Sequence, residues 1–285
     1  MRSSIRARGS ASAVSKLVAV AIVALAPAAR AESRELARTQ PSELAFELGG
    51  ALAFSGIAYV VPFPNDCRWC TPPGFDETLH SPAAPEERRT LARWSHVLST
   101  GVIPAGAVYV SVLPSLAGWA PGRHAYENVV IVAEAVLFDL GLNMAVKKIV
   151  ARRRPAFHYR RDEHIEYWED FEQRDASFVS GDSGVAFAAA SAMATLSFLR
   201  GYAAAPYVTA AGAVLAGSVG YLRVRADVHW PSDVLAGALI GTGVGVGMPL
   251  LLHARATSTK HASVLRTLTP MLSLDPVVLG VAGAF

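Results

Sequence analysis

The sequence predicts an all-α protein, a bundle of about six apolar helices embedded in a membrane. Three observations carry that expectation. Of the 285 residues, 52% are hydrophobic and only 17% are charged, against about 25% charged in soluble domains. Apolar stretches recur at 43–62, 98–119, 128–150, 183–199, 203–222 and 233–253, each near the ~20 residues that cross a bilayer as a helix. They are rich in Ala, Gly, Val and Leu, and small residues suit close helix contact in lipid. A soluble bundle of unusually apolar helices is the alternative. The composition excludes a disordered or low-complexity chain.

The chain opens with Arg2, Arg6, Arg8 and Lys16 before the apolar run Leu17–Ala26, followed by Pro27 and Ala29-Arg30-Ala31. A basic region, a short apolar core and a small-x-small site predict an export signal at 1–31, removed before Glu32. An uncleaved first membrane helix is the alternative. The signal also explains the net charge of +3: it holds five of the 26 basic side chains and no acid, leaving 21 basic against 23 acidic. So balanced a body argues against a nucleic-acid partner. The helical domain is expected at 32–253, followed by a tail, 254–285, with no assignable chemistry.

The first stretch contains Glu47, and the third contains Glu134, Asp139 and Asn143. Polar groups in a span must face the bundle interior or a polar partner. Between stretches one and two, Cys67 and Cys70 stand in the turn-rich segment 64–73. A redox or half-zinc C-x-x-C suits a cytosolic protein, and no second cysteine pair exists. An exported loop predicts a small structural disulfide between them. After the third stretch, basic residues at 147–161 are followed by acidic residues at 162–175. Most of these charges fit a solvated face or a membrane-side anchor.

Three polar clusters at helix ends carry chemistry. They are Lys147-x6-Arg154-Pro155, the run Ser177 to Asp182, and Arg223-x5-His229-x3-Asp233. A bundle can bring all three to one spot. Lys147, Arg154 and Arg223 offer fixed positive charge and several donors for a phosphate dianion. Ser180-Gly181 leads into a helix whose N-terminal N–H groups can cradle an anion. His229 can attack phosphorus as a neutral imidazole when its other nitrogen is held. Asp233, four residues on, is placed to orient that ring as a carboxylate does in a triad. No His/Cys/Asp set has metal-ligand spacing, so neither a metal nor another cofactor is expected.

In order and spacing, these clusters resemble the signature of the type 2 phosphatidic acid phosphatase superfamily, which includes bacterial acid phosphatases and vanadium haloperoxidases. The likeness covers roughly 98–253, including His229-Trp230-Pro231-Ser232-Asp233. It implies an all-helical core, a covalent phosphohistidine at His229, and phosphate ligands at Lys147, Arg154, Ser180, Gly181 and Arg223. It also implies a phosphorylated lipid or small phosphate ester as partner. Three positions depart from the pattern. Val179-Ser180-Gly181-Asp182 lacks the proline and the histidine of Pro-Ser-Gly-His, where the histidine protonates the leaving group. Leu222 replaces the serine before Arg223.

Asp182 is open to two readings. One step before an apolar helix, Asp is a good cap. As a catalytic acid it would need a protonated carboxyl. His158 and His164, in the adjoining loop, are candidate substitutes. The expectation is therefore a metal-independent hydrolase of phosphate monoesters or diphosphates, lipid-linked if embedded. Alternatives are a non-catalytic phosphate- or lipid-binding relative, favoured by Asp182, and a vanadate-dependent haloperoxidase, favoured only by shared ligands. Related membrane enzymes hold the site on the exported side. The same placement here requires 43–62 to pack peripherally, since six spans after a translocated N-terminus would turn the site toward the cytoplasm. The expected location is the inner membrane with a periplasm-facing site, or the periplasm.

Overall fold

A computed structural model describes residues 34–36, 40–159, 174–256, 269–274 and 277–282. The signal segment 1–31 and His164 lie outside these residues. Eight helices occur among them: α1 Pro41–Val60, α2 Gly74–Leu79, α3 Pro85–Leu116, α4 Gly122–Val150, α5 Pro155–His158, α6 Gly181–Leu199, α7 Ala205–Arg225 and α8 Pro231–Met248. Two short antiparallel strand pairs accompany them, β1 (Arg34–Leu36) with β2 (Ala254–Ala256), and β3 (Thr269–Leu274) with β4 (Val277–Ala282). Six helices are long and apolar enough to cross a membrane: α1, α3, α4, α6, α7, and α8 with the π turn Pro249–His253. Large apolar side chains such as Phe46, Ile57, Val214 and Leu251 face outward, as a lipid-facing surface requires.

Proline sets several boundaries. Pro41, Pro85, Pro155 and Pro231 open their helices, where a first-turn N–H has no intrahelical acceptor to lose. Pro104 acts differently. It lacks an N–H inside α3, and the turn just before it, Leu98–Val102, relaxes to π geometry with Ile103 N–H bonded to Leu98 O. The helix survives that turn, so the charged segment Pro85–Val97 and the apolar segment after it are continuous. The apolar stretch expected at 98–119 is only the later part of α3.

The helices meet through small residues. Gly237, Gly241 and Gly245 lay α8 on α6, where an added Cβ would stand 2.4 Å from Ser180 O, 2.2 Å from Gly184 O and 2.3 Å from Ala188 O. Backbone-to-backbone approach of this kind is the use of small residues every fourth position in a membrane bundle. The α6 core face is correspondingly small, with Ala186, Ala188, Ala189 and Ala192 buried.

Helix α1, the stretch expected at 43–62, lies along α4. Phe54 stacks on Phe138 at 5.2 Å, Ser55 Oγ donates to Leu137 O at 2.5 Å, and Lys148 Nζ donates to Ala58 O. Most of the helix's length is exposed, but Glu47 turns inward: its Oε2 is 3.8 Å from His253 Nε2, which bonds Glu134 Oε2 at 3.0 Å. Glu134, Asp139 and Asn143 are all buried. Successive spans alternate in direction. Gln40, the loops 117–121 and 200–204, and Ala254 lie at one end, and the segments 61–84, 151–159, 174–180 and 226–230 lie at the other.

Candidate active site

The second end gathers all three polar clusters. Lys147 closes α4, Arg154 precedes α5, Ser180 and Gly181 open α6, Arg223 closes α7, and His229 and Asp233 flank the start of α8. A backbone bond from Ser180 N–H to Asp233 O, 3.0 Å, joins the α6 and α8 starts directly. It sits beside the Gly237 crossing, so close helix packing and the placement of these residues are one event.

His229 is buried. Its Nδ1 lies 2.8 Å from Ser177 O, and a carbonyl only accepts, so Nδ1 is the donor and Nε2 keeps its lone pair. Burial pushes the imidazole well below the ordinary histidine range, and the charges of Arg154, Lys147 and Arg223 push it further. The ring is therefore neutral at physiological pH. Asp233 Oδ2 stands farther off, 3.6 Å from Nδ1. That oxygen accepts instead from Trp230 N–H at 2.9 Å and from Ser177 Oγ, while Oδ1 accepts from Arg152. Asp233 thus acts on the ring mainly through Ser177: it binds the hydroxyl of the residue whose carbonyl holds Nδ1.

Three buried cations surround this histidine. Lys147 Nζ donates to Ala176 O at 2.8 Å, Arg154 Nη1 to Val228 O at 3.2 Å, and Arg223 Nη1 to Ser95 Oγ at 3.2 Å. Burial, and then the neighbouring Arg223, lower Arg154 to about 10, so it stays charged at neutral pH. Ser180 Oγ is 2.9 Å from Ser183 Oγ. At Gly181 the nearest atom to an added Cβ would be Lys147 Cε at 3.7 Å.

Asp182 is an ion-pair acceptor. Its Oδ2 lies 3.0 Å from Arg223 Nη2, and its Oδ1 accepts from Ser99 Oγ at 2.5 Å and meets His96 Nδ1 at 3.0 Å. Ser95, His96 and Ser99 all come from α3: Ser95 and His96 lie just before the apolar stretch visible in the sequence, and Ser99 lies at its start. His158 meets other partners, its ring 5.7 Å from that of Trp230 and its Nε2 3.9 Å from Glu77 Oε1.

Sequence reasoning also missed Arg152 and Asp76. Arg152 is fully buried and donates to Asp233 Oδ1, to Asp76 Oδ2 at 2.6 Å and to Ser232 Oγ at 2.7 Å, and its guanidinium covers the Trp69 ring at 3.9 Å. Asp76, from α2, accepts from Ser232 N–H at 2.8 Å, so it caps α8 from a distant part of the chain. Arg152 stood unmarked within the basic run at 147–161. No local signal pointed to Asp76. Cys67 and Cys70 are disulfide-bonded, and Arg68 and Trp69 between them donate backbone N–H groups to Ala151 O, which fixes their loop on the site's end of the bundle.

Residues 128–256, which contain all three clusters, match the model of the PAP2 superfamily. Among solved structures, the chain is similar to the first transmembrane PAP2 type phosphatidylglycerolphosphate phosphatase from Bacillus subtilis. The identity is 17%, over 84% of this chain and 94% of that one, with a TM-score of 0.37. No curated protein matches the chain. The PAP2 segment begins after Asp76 and His96, so both are contributed from outside it.

Proposed function

We propose that the protein is a metal-independent phosphatase of lipid-linked phosphate monoesters or diphosphates, acting through a phosphohistidine at His229 with its site on the exported face. The observation that carries this reading is the state of His229: buried, neutral, held at Nδ1 by Ser177 O, and surrounded by Lys147, Arg154 and Arg223. A neutral imidazole with one fixed nitrogen is a nucleophile at the other. Its Nε2 attacks phosphorus, the P–N bond forms as the P–O bond to the leaving group breaks, and the three cations stabilise the charge on the equatorial oxygens. Water then attacks phosphorus, releasing phosphate and returning the imidazole. Fixed side-chain cations do here what a bound metal does in other phosphoryl-transfer sites.

The match of residues 128–256 to the PAP2 superfamily model and the six apolar helices support a lipid substrate reached from the bilayer. The disulfide-bonded loop on the site's end supports the exported orientation. A second reading, a phosphate-binding protein without turnover, is favoured by Asp182, a carboxylate paired to one of the phosphate-binding arginines. Phosphate release by the purified protein from a panel of lipid and soluble phosphates separates the two. Catalysis predicts release that His229→Ala abolishes and that chelators leave intact. Binding without release selects the second reading, and release that survives in His229→Ala removes the phosphohistidine.

A further inference from the structure

We infer that His96, from α3, is the general acid of this site, carried by Asp182; the inference rests on the phosphatase reading above. Expelling an alkoxide from phosphorus is slow unless the departing oxygen receives a proton. His229 has no proton to give it, because its Nδ1–H is bound to Ser177 O and its Nε2 is the attacking atom. Lys147, Arg154 and Arg223 are committed to charge. Asp182 already accepts from Arg223, Ser99 and His96, which is the bonding of an ionised carboxylate.

His96 remains, and its geometry suits the task. Its Nδ1 is 3.0 Å from Asp182 Oδ1, so the carboxylate accepts from Nδ1–H and holds the ring. Asp182 Oδ2 in turn meets Arg223 Nη2 at 3.0 Å, which ties His96 to a residue that faces the phosphate. The ring is on the solvent side, with 64% of the side chain exposed, and among the described residues its Nε2 has no hydrogen-bond partner. A leaving group departs toward solvent, opposite the buried nucleophile, and an acid belongs on that side.

In the first step, Nε2–H of the His96 imidazolium gives its proton to the ester oxygen as the P–O bond breaks. An alcohol leaves, and His96 is neutral. In the second, His96 takes a proton from the water that attacks phosphorus. The P–N bond of His229 breaks, phosphate departs, and the imidazolium is restored. Nothing beyond water and substrate is consumed. Asp182 is then a positioning residue, and a carboxylate next to the phosphate site has its explanation: it holds the acid rather than being one.

The test compares an alkyl with an aryl phosphate monoester, because an aryl oxide leaves with little protonation. In kcat/KM, which reports the steps through loss of the leaving group, His96→Ala should lower the alkyl-to-aryl ratio by about 10²-fold, the low end for a positioned general acid. Added imidazole should restore part of the alkyl rate, since the vacated place is open to solvent. A structural role for His96 would lower both substrates alike and give no rescue. An unchanged ratio, or equal losses, overturns the assignment while leaving the phosphatase reading in place. Wild-type protein that releases phosphate from neither substrate overturns that reading itself, and the acid with it.

Discussion

Alanine at Gly241 tests whether the crossing of α8 on α6 places the site. The added Cβ would stand 2.2 Å from Gly184 O, 2.9 Å from its carbonyl carbon and 3.0 Å from its Cα. All three are backbone atoms and cannot turn aside. Unstrained carbon contacts lie at about 3.5–4.0 Å, so the two helices must part by about 1 Å. Overpacking of this order costs about 1–3 kcal/mol.

Gly241 is eight residues beyond Asp233 on one helix, about 12 Å along its axis, away from the residues proposed to bind phosphate. A shift of about 1 Å can still cost on the order of 10²-fold in rate, because the Ser180–Asp233 bond sits on the same crossing. Gly243 is the matched control: no atom lies within 4 Å of its would-be Cβ. There the better helix propensity of alanine should stabilise by about 0.5–1 kcal/mol. Thermal unfolding of the purified variants, with phosphate release alongside, should show Gly241→Ala losing both stability and turnover and Gly243→Ala losing neither. Equal behaviour of the two variants would refute the argument that close packing of α8 on α6 sets the site.

Other outcomes follow from the same geometry. Arg152→Met leaves the buried carboxylates of Asp76 and Asp233 without their shared cation and should cost about 3–5 kcal/mol in denaturant unfolding, part of which Asp76→Asn should return in the double variant. His229 is held well below the ordinary histidine range, whereas in the unfolded chain it takes up a proton near pH 6.5. The unfolded state then binds more protons below that pH, so His229 contributes a loss of stability as pH falls through about 6.5. His229→Gln should flatten this part of the profile, and an unchanged slope would show that the loss arises elsewhere. An impermeant thiol reagent applied to intact cells should label Glu77→Cys but not Ala203→Cys, since the two lie at opposite ends of the bundle. Labelling of both would contradict the alternation of spans, and the reverse pattern would turn the site inward. With Glu77→Cys outward, a mature chain starting at Glu32 is compatible only with an α1 that does not cross; a crossing α1 requires Gln40 inside.

Six apolar helices were legible because the bilayer length and the burial of small residues both act over contiguous stretches. The expected 183–199 and 233–253 stand against α6 at Gly181–Leu199 and the span Pro231–His253. The third cluster was legible for a similar reason, since His229 and Asp233 lie one helical turn apart. What stayed hidden depends on contacts across the chain. Nothing in a run of arginines marks Arg152 as the buried one, because its burial is decided by Asp76, 76 residues away, and by Asp233, 81 residues away. The partner of Asp182 was hidden by a helix boundary. The charged segment Pro85–Val97 has no apolar stretch of its own, and only its continuation through the π turn into α3 carries His96 to the carboxylate. In the sequence, Asp182 is an interruption of a motif. In the structure it is half of an Asp–His pair whose other half comes from a separate helix, so the residue that breaks the local pattern can be interpreted only through a contact spanning 86 residues.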